Sequence, residues 1–229
     1  MIEVIEARKR YWRRSILQGA SFTVEKGTVT CLIGLNGAGK STLLKAIMGL
    51  TPLTSGRILV DGEPIGPAMY ERVSFIPDHL TLPPSMKLWE GLRFMAEFYA
   101  NWNAEKAAEL MTFFRLSASD RIGNLSKGTA AKFNLVTGLA LDTEYVLMDE
   151  PFSGIDMFSR EMIADVFASD LIEGRGVLLT THEIGEMEHL IDKAVLLSDG
   201  VVVREFNCEA MRVAEGKSVV DVMREAYRA

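Results

Sequence analysis

Gly34-Leu35-Asn36-Gly37-Ala38-Gly39-Lys40-Ser41-Thr42 fits the pattern G-x-x-x-x-G-K-[ST], and it lies between an apolar run at residues 28–33 and a helix-like run at residues 40–48. That is the strand, loop and helix order a phosphate-binding loop needs. Gly34, Gly37 and Gly39 allow backbone conformations closed to other residues, so successive N–H groups can turn inward around phosphate oxygens at a helix N-terminus. Lys40 would meet the β- and γ-phosphates as a point charge, and the Ser41 hydroxyl would take a position on Mg²⁺. Asn36, Gly37, Gly39, Lys40, Ser41 and Thr42 are therefore the candidate nucleotide contacts.

The rest of the composition is that of an ordinary globular protein. The 229 residues carry a net charge of −6, which argues against general affinity for nucleic acid or an anionic membrane surface. No apolar run reaches the 18 or more residues of a membrane span, and Glu3 and Glu6 are out of place in a signal peptide. Cys31 and Cys208 lack any ligand-like spacing and read as buried thiols in a reducing compartment, so the cytosol is the expected location.

Working outward from the loop, residues 1–7 and 21–24 read as strands, and between them stands the basic stretch Arg8-Lys9-Arg10-Tyr11-Trp12-Arg13-Arg14. Three readings compete for it: a hairpin tip with solvated charges, a single-stranded nucleic acid site, or an aromatic that stacks on a nucleotide base. Short strands follow at residues 57–60 and 73–76. From residue 80 to 140 the strands stop, and helical spacing appears at 87–100 and 104–116, with Asn103 as a cap. The α/β pattern then returns: strands at 145–148 and 177–181, helices at 156–172 and 183–190, a hairpin over 194–206 turning at Asp199-Gly200, and two short helices. Short apolar strands alternating with helices predict a mainly parallel sheet covered on both faces.

The strand at Tyr145-Val-Leu-Met ends in Asp149-Glu150. At such an edge Asp149 can hold Mg²⁺ through water, while Glu150, pointing the other way, can orient or deprotonate a water that attacks the γ-phosphate. Upstream, Leu125-Ser126-Lys127-Gly128-Thr129 alone reads as a helix N-cap at Ser126. Between the phosphate loop and the Asp-Glu strand, however, it resembles the LSGGQ signature of ABC-type ATPases. From Tyr11 to Asp199 the chain resembles the nucleotide-binding subunit of an ABC transporter; Ser153-Gly-Ile-Asp156 is similar to the family's D-loop, and His182 stands at its switch-histidine position.

The resemblance implies a P-loop NTPase α/β fold with a mainly parallel sheet, an N-terminal antiparallel β layer and an inserted α-helical subdomain. Residues 1–229 would form one domain, with 1–78 and 141–229 as core and 79–140 as the helical part. It also implies a head-to-tail dimer with two ATP molecules at the interface, where Ser126 and Gly128 of one subunit meet the γ-phosphate held by Lys40 of the other. Asp156 would pass between subunits and His182 would contact the γ-phosphate; the competing reading of His182 is an exposed residue at a helix entry capped by Thr180 and Glu183. The base-stacking position falls on Tyr11, with Trp12 as the alternative. Expected partners are a permease and a second ATPase chain, identical or not, with the protein on the inner face of the cell membrane and no nucleic acid bound. Two positions depart from the pattern. Asp78, a candidate Mg²⁺ or water contact, stands where the family has Gln and can only accept hydrogen bonds when ionised; Lys127 and Thr129 replace a Gly and a Gln. A soluble mechanical ATPase and a small-molecule phosphoryl transferase are the competing functions, but the chain has neither a long coiled-coil insertion nor a substrate-specific element.

Overall fold

The structure is a computed structural model that describes residues 1–228 apart from positions 168, 170 and 183, with the backbone alone at 186 and 228. Two sheets organise it. The first contains β1 (Ile2–Tyr11), β2 (Arg14–Val24), β4 (Ser55–Val60) and β5 (Glu63–Pro64) in the antiparallel order β2-β1-β4-β5. The second contains β3 (Val29–Ile33), β6 (Val73–Ile76), β7 (Tyr145–Asp149), β8 (Gly176–Thr181), β9 (Lys193–Ser198) and β10 (Val201–Asn207) in the order β10-β9-β3-β8-β7-β6. All of its pairings are parallel except β10 with β9.

The parallel strands are nearly continuous in apolar residues because both faces are covered, and alternate residues sort into two cores. Cys31, Ile33, Val146, Met148, Val177, Leu179, Ala194 and Leu196 face one core, which α2 (Leu88–Phe98), α3 (Ala104–Phe113), α4 (Lys127–Leu139), α5 (Met157–Phe167) and α7 (Val219–Arg228) help to close. Leu32, Tyr145, Leu147, Leu178, Val195 and Leu197 face the other, which α1 (Lys40–Ile47) and the antiparallel layer fill with Leu43, Leu44, Ile47, Ile2, Phe22 and Ile58. A fully buried Leu contributes about 1.5–3 kcal/mol relative to exposure, so burial on both faces holds the central sheet against its covers.

The elements expected from sequence are present with shifted ends. The helix expected over 156–172 starts at Met157 because Asp156 is its cap, accepting the Ser159 N–H at 2.9 Å. The basic stretch is the tip of the β1–β2 hairpin: Tyr11 pairs with Arg14, and Trp12 takes a positive φ of 52° in the turn. Asn103 caps α3, accepting from the Lys106 N–H at 2.9 Å. Residues 185–190 form a 3-10 turn rather than an α-helix. Both cysteines are buried and free; burial pushes both thiols up, Cys208 to about 12, and they stay protonated.

Candidate active site

The loop that leaves β3 enters α1 through Gly39, whose φ of 108° suits glycine; a Cβ there would stand 2.8 Å from Leu17 Cδ2. No acidic residue occupies the first turn of α1, so its free N–H groups and the positive end of its dipole are available to an anion. This end of the helix opens on a cavity of about 850 Å³, lined by Asn36, Gly37, Gly39, Lys40, Ser41 and Thr42. Asp78, Glu150 and His182 line the same cavity from the ends of β6, β7 and β8.

Inside it the polar groups form one network. Lys40 is buried and its Nζ donates to the Gly34 carbonyl at 2.7 Å and pairs with Glu150 Oε1 at 3.1 Å. Glu150 Oε2 is 2.8 Å from His182 Nδ1, so this carboxylate spans the lysine and the histidine. The Ser41 hydroxyl donates to Asp149 Oδ1 at 3.1 Å, and the Thr180 hydroxyl donates to the same oxygen at 2.7 Å. Strand alternation predicts that Glu150 points away from Asp149. Instead Glu150 adopts a positive φ of 49°, its N–H donates to Thr180 Oγ1 at 2.9 Å, and both carboxylates reach the first turn of α1. A left-handed non-glycine residue at a strand end is sparsely populated and persists because its neighbours hold it.

Two oxygen donors, Ser41 Oγ and Asp149 Oδ1, lie side by side at the foot of the cavity, and hard oxygens of this kind suit Mg²⁺, which takes few protein ligands and completes its shell with phosphate and water. Among the described residues no group of three or more His, Cys, Asp or Glu is placed to hold a metal by itself. Asp78 is exposed and its Oδ1 sits 2.7 Å from His79 Nδ1.

The remaining sequence candidates lie elsewhere. Ser126 caps α4, accepting from the Thr129 N–H at 3.1 Å, and Gly128 is packed so closely that a Cβ would lie 2.5 Å from Ser159 Oγ and 2.9 Å from Asp156 Oδ2. Hydrogen bonds from the backbone and hydroxyl of Ser159 hold the Asp156 carboxyl below the usual range. These three residues do not line the cavity, although Lys127 reaches it. Tyr11 does not line it either; its wall on that side is Arg14 and Ile16, and Lys9 Nζ stands 4.7 Å from the Tyr11 ring centre. The Thr180–Glu183 cap proposed for the entry to the His182 segment involves Glu183, which lies outside the described residues; Thr180 spends its hydroxyl on Asp149. Arg14 and Asn134, which line the cavity, the latter donating its amide to the Pro77 carbonyl at 2.7 Å, and Thr180, which bonds Asp149 and Glu150 behind it, are site-forming residues whose role sequence reading missed. Only Arg14 had a signal, as part of the basic hairpin.

A family model described as ABC transporter matches residues 17–153. The chain belongs to the ABC transporter family. The linearmycin resistance ATP-binding protein LnrL of Bacillus subtilis (strain 168) is 32% identical over 211 residues, covering 89% of this chain and 68% of that protein. The Nod factor export ATP-binding protein I of Paraburkholderia xenovorans (strain LB400) is 31% identical over 230 residues, covering 96% and 76%. A solved ATP-binding subunit of an ABC transporter superposes with a TM-score of 0.87 at 29% identity, covering 99% of both chains. An ATP-binding cassette dimer in a post-hydrolysis state with ADP and Pi shares the fold at a TM-score of 0.80 and 21% identity, covering 90% of this chain and 98% of that one. This family member is an ATP-binding subunit that hydrolyses ATP, and its fold is the P-loop NTPase core with the antiparallel layer and helical insertion. Among the described residues no helix is long and apolar enough to cross a membrane.

Proposed function

We propose that this subunit powers export by a separate permease, hydrolysing ATP between two ATPase chains arranged head to tail. The observation that carries the catalytic part is the convergence of Lys40, Glu150 and His182 on one cavity at a helix N-terminus, with Ser41 and Asp149 joined at its foot. The main-chain N–H groups of residues 39–42 and the Lys40 side chain bind the phosphates, the Ala38 N–H being held by the Leu35 carbonyl. Mg²⁺ between Ser41 and Asp149 would neutralise charge on the β- and γ-phosphates. Glu150 exchanges its ion pair with Lys40 for a water, orients it and takes its proton, while His182 holds the Glu150 carboxylate and contacts the γ-phosphate. Asp78, at the β6 end, would contact Mg²⁺ or its water, and Tyr11, across the hairpin from Arg14, would stack on the base.

The dimer reading is supported by the three residues that do not face their own cavity. Ser126, Gly128 and Asp156 cluster at the start of α4 and α5, where the α4 N-terminus offers a second anion site to a partner's γ-phosphate. An identical partner suffices for this arrangement, and a related second ATPase chain would serve it equally. Residues 79–140 act as the helical part of a single 1–229 domain, and the protein works on the inner face of the membrane by binding the permease. The resistance and export systems named for its relatives support the direction of transport.

Titration with ATP tests the site: Lys40→Ala should lose tight ATP binding, because the main-chain cradle stays but the charge at the β- and γ-phosphates is gone. Unchanged affinity with full turnover would place the phosphate site elsewhere. Co-purification with a polytopic membrane protein tests the coupling, and its absence from solubilised membranes would favour a soluble mechanical ATPase.

A further inference from the structure

The hydroxyl of Tyr227, near the end of α7, lies 3.1 Å from the carbonyl oxygen of Ile33 and 3.2 Å from that of Leu197. Ile33 is the last residue of β3 and is followed directly by Gly34, where the phosphate loop begins. Ile33 pairs with Leu196 on β9 and with Thr181 on β8, and the Gly34 N–H donates to the Thr181 carbonyl on the β8 side at 3.3 Å, so the Ile33 carbonyl of the same peptide points toward β9. Gly34 meanwhile packs so tightly on β9 that a Cβ there would lie 2.6 Å from the Leu197 carbonyl oxygen. Two carbonyls that cannot bond each other therefore flank the departure of the loop, and one phenol proton serves both.

The helix that brings this phenol in is fastened at several points. Val219 and Val222 are buried, and Val220, Met223 and Ala226 are partly buried against the same core as Ile33 and Leu196. Residues 219, 222, 223 and 226 follow helical spacing, and Tyr227, four residues after Met223, continues that face. Ser218 and Asp221 cap the first turn through Ser218 N–H to Asp221 Oδ2 and Asp221 N–H to Ser218 Oγ, each 3.1 Å. Lys217 pairs with Glu225 at 3.0 Å, and Glu188, in the turn that follows the His182 segment, accepts the Val219 N–H at 2.9 Å. Burial pushes the Tyr227 phenol up to about 12, so it remains a donor at any working pH.

We propose that Tyr227 is a positioning residue for nucleotide binding: its hydroxyl ties the last carbonyl of β3 to β9 and fixes the point from which the phosphate loop rises, so that this one hydroxyl contact contributes to the affinity of the loop for ATP. The proposal rests on residues 34–42 being the ATP site. Phenylalanine at 227 keeps the packing and removes the one donor. The loop then has more conformations to lose when nucleotide binds, and losing a single hydrogen bond of ordinary strength corresponds to a change of about 3- to 10-fold.

The test compares the full-length wild type, Tyr227→Phe, Val222→Ala and Lys40→Ala. ATP and ADP affinities are measured by calorimetric titration, KM and kcat by phosphate release, and amide hydrogen exchange is followed in residues 34–40. Tyr227→Phe should raise the Kd for both nucleotides and the KM by about 3- to 10-fold, leave kcat within about twofold, and speed exchange in residues 34–40. Val222→Ala loosens the same helix without removing the donor to Ile33; it should lower the melting temperature more than Tyr227→Phe while leaving KM near wild type. Wild-type affinity and exchange in Tyr227→Phe would overturn the proposal, and so would an equal rise in KM in Val222→Ala, since general loosening of α7 would then account for the effect. Lys40→Ala separates the two levels: if it binds ATP like the wild type, the phosphate site itself has been misplaced; if it does not bind while Tyr227→Phe matches wild type, only the role of Tyr227 falls.

Discussion

Glu150→Gln isolates the charge on which the site turns. The carboxylate sits 3.1 Å from the Lys40 amino group and 2.8 Å from His182 Nδ1, and Lys40 is only 6% exposed. At about 3 Å and an effective dielectric near 20, two unit charges attract by about 5 kcal/mol, of which desolvation of the pair cancels the larger part. Glutamine retains an oxygen toward Lys40 but gives up that attraction, so Lys40 is freer to meet the phosphates, and ATP affinity should hold or rise a few-fold. Hydrolysis should fall by about 10²-fold or more, since the group that takes the proton from the attacking water is gone. With ATP bound and not consumed, the variant should accumulate as an ATP-dependent dimer. Phosphate release and sedimentation with ATP and Mg²⁺ measure both effects on one preparation. Turnover within tenfold of wild type would remove Glu150 from the base role, and a variant that stays monomeric at saturating ATP would refute the shared site for two identical chains.

Ser126→Arg, placed in the Glu150→Gln background, should abolish that dimer while costing only about 1 kcal/mol of stability through the lost α4 cap; a dimer that survives in sedimentation would move the interface elsewhere. Tyr11→Ala should weaken ATP by roughly 1–3 kcal/mol if the ring stacks on the base, and Trp12→Ala should do much less; reversed effects in the titration would transfer the role to the tryptophan. Arg14→Ala, removing a cation from the cavity wall, should weaken ATP more than adenosine, and equal losses for both ligands would deny it a phosphate contact. Hydrogen bonds from Arg72 and Lys26 hold the Glu144 carboxyl below its usual range, and burial of Asp61 is outweighed by its donors, so that it too lies low. A depressed folded value contributes stability above the unfolded carboxylate pKa, about 4, that is lost as pH falls through the folded one. The gap in urea midpoint between wild type and Arg72→Gln should therefore be widest near neutral pH and narrow toward pH 3; a gap independent of pH would mean that Arg72 acts through packing alone.

Much of this protein was legible in the chain because its signals are local. The loop at Gly34 to Thr42 needs only its own glycines and the helix that follows, and the parallel sheet announces itself through short apolar strands between helices. Asp149 and Glu150 could be marked as candidates because a strand must end somewhere and two carboxylates there are conspicuous. Their partners could not be read off. Residues 41 and 149 are 108 positions apart, and what brings Ser41 to 3.1 Å from Asp149 is the order of β3, β8 and β7 in the sheet, a matter of how crossovers pack and not of any one segment's periodicity. The inward turn of Glu150 ran against strand alternation, since it depends on a positive φ that Lys40 holds from α1 and Thr180 and His182 hold from β8 and its end. Ser126 and Asp156 show the reverse case: the sequence suits them both to capping a helix and to meeting a phosphate, and a single chain displays the cap because capping needs only the next turn of backbone. Tyr227 had no signal at all. A tyrosine on the apolar face of a helix looks like core until the fold sets its hydroxyl over the carbonyl from which the phosphate loop departs, 194 residues earlier in the chain.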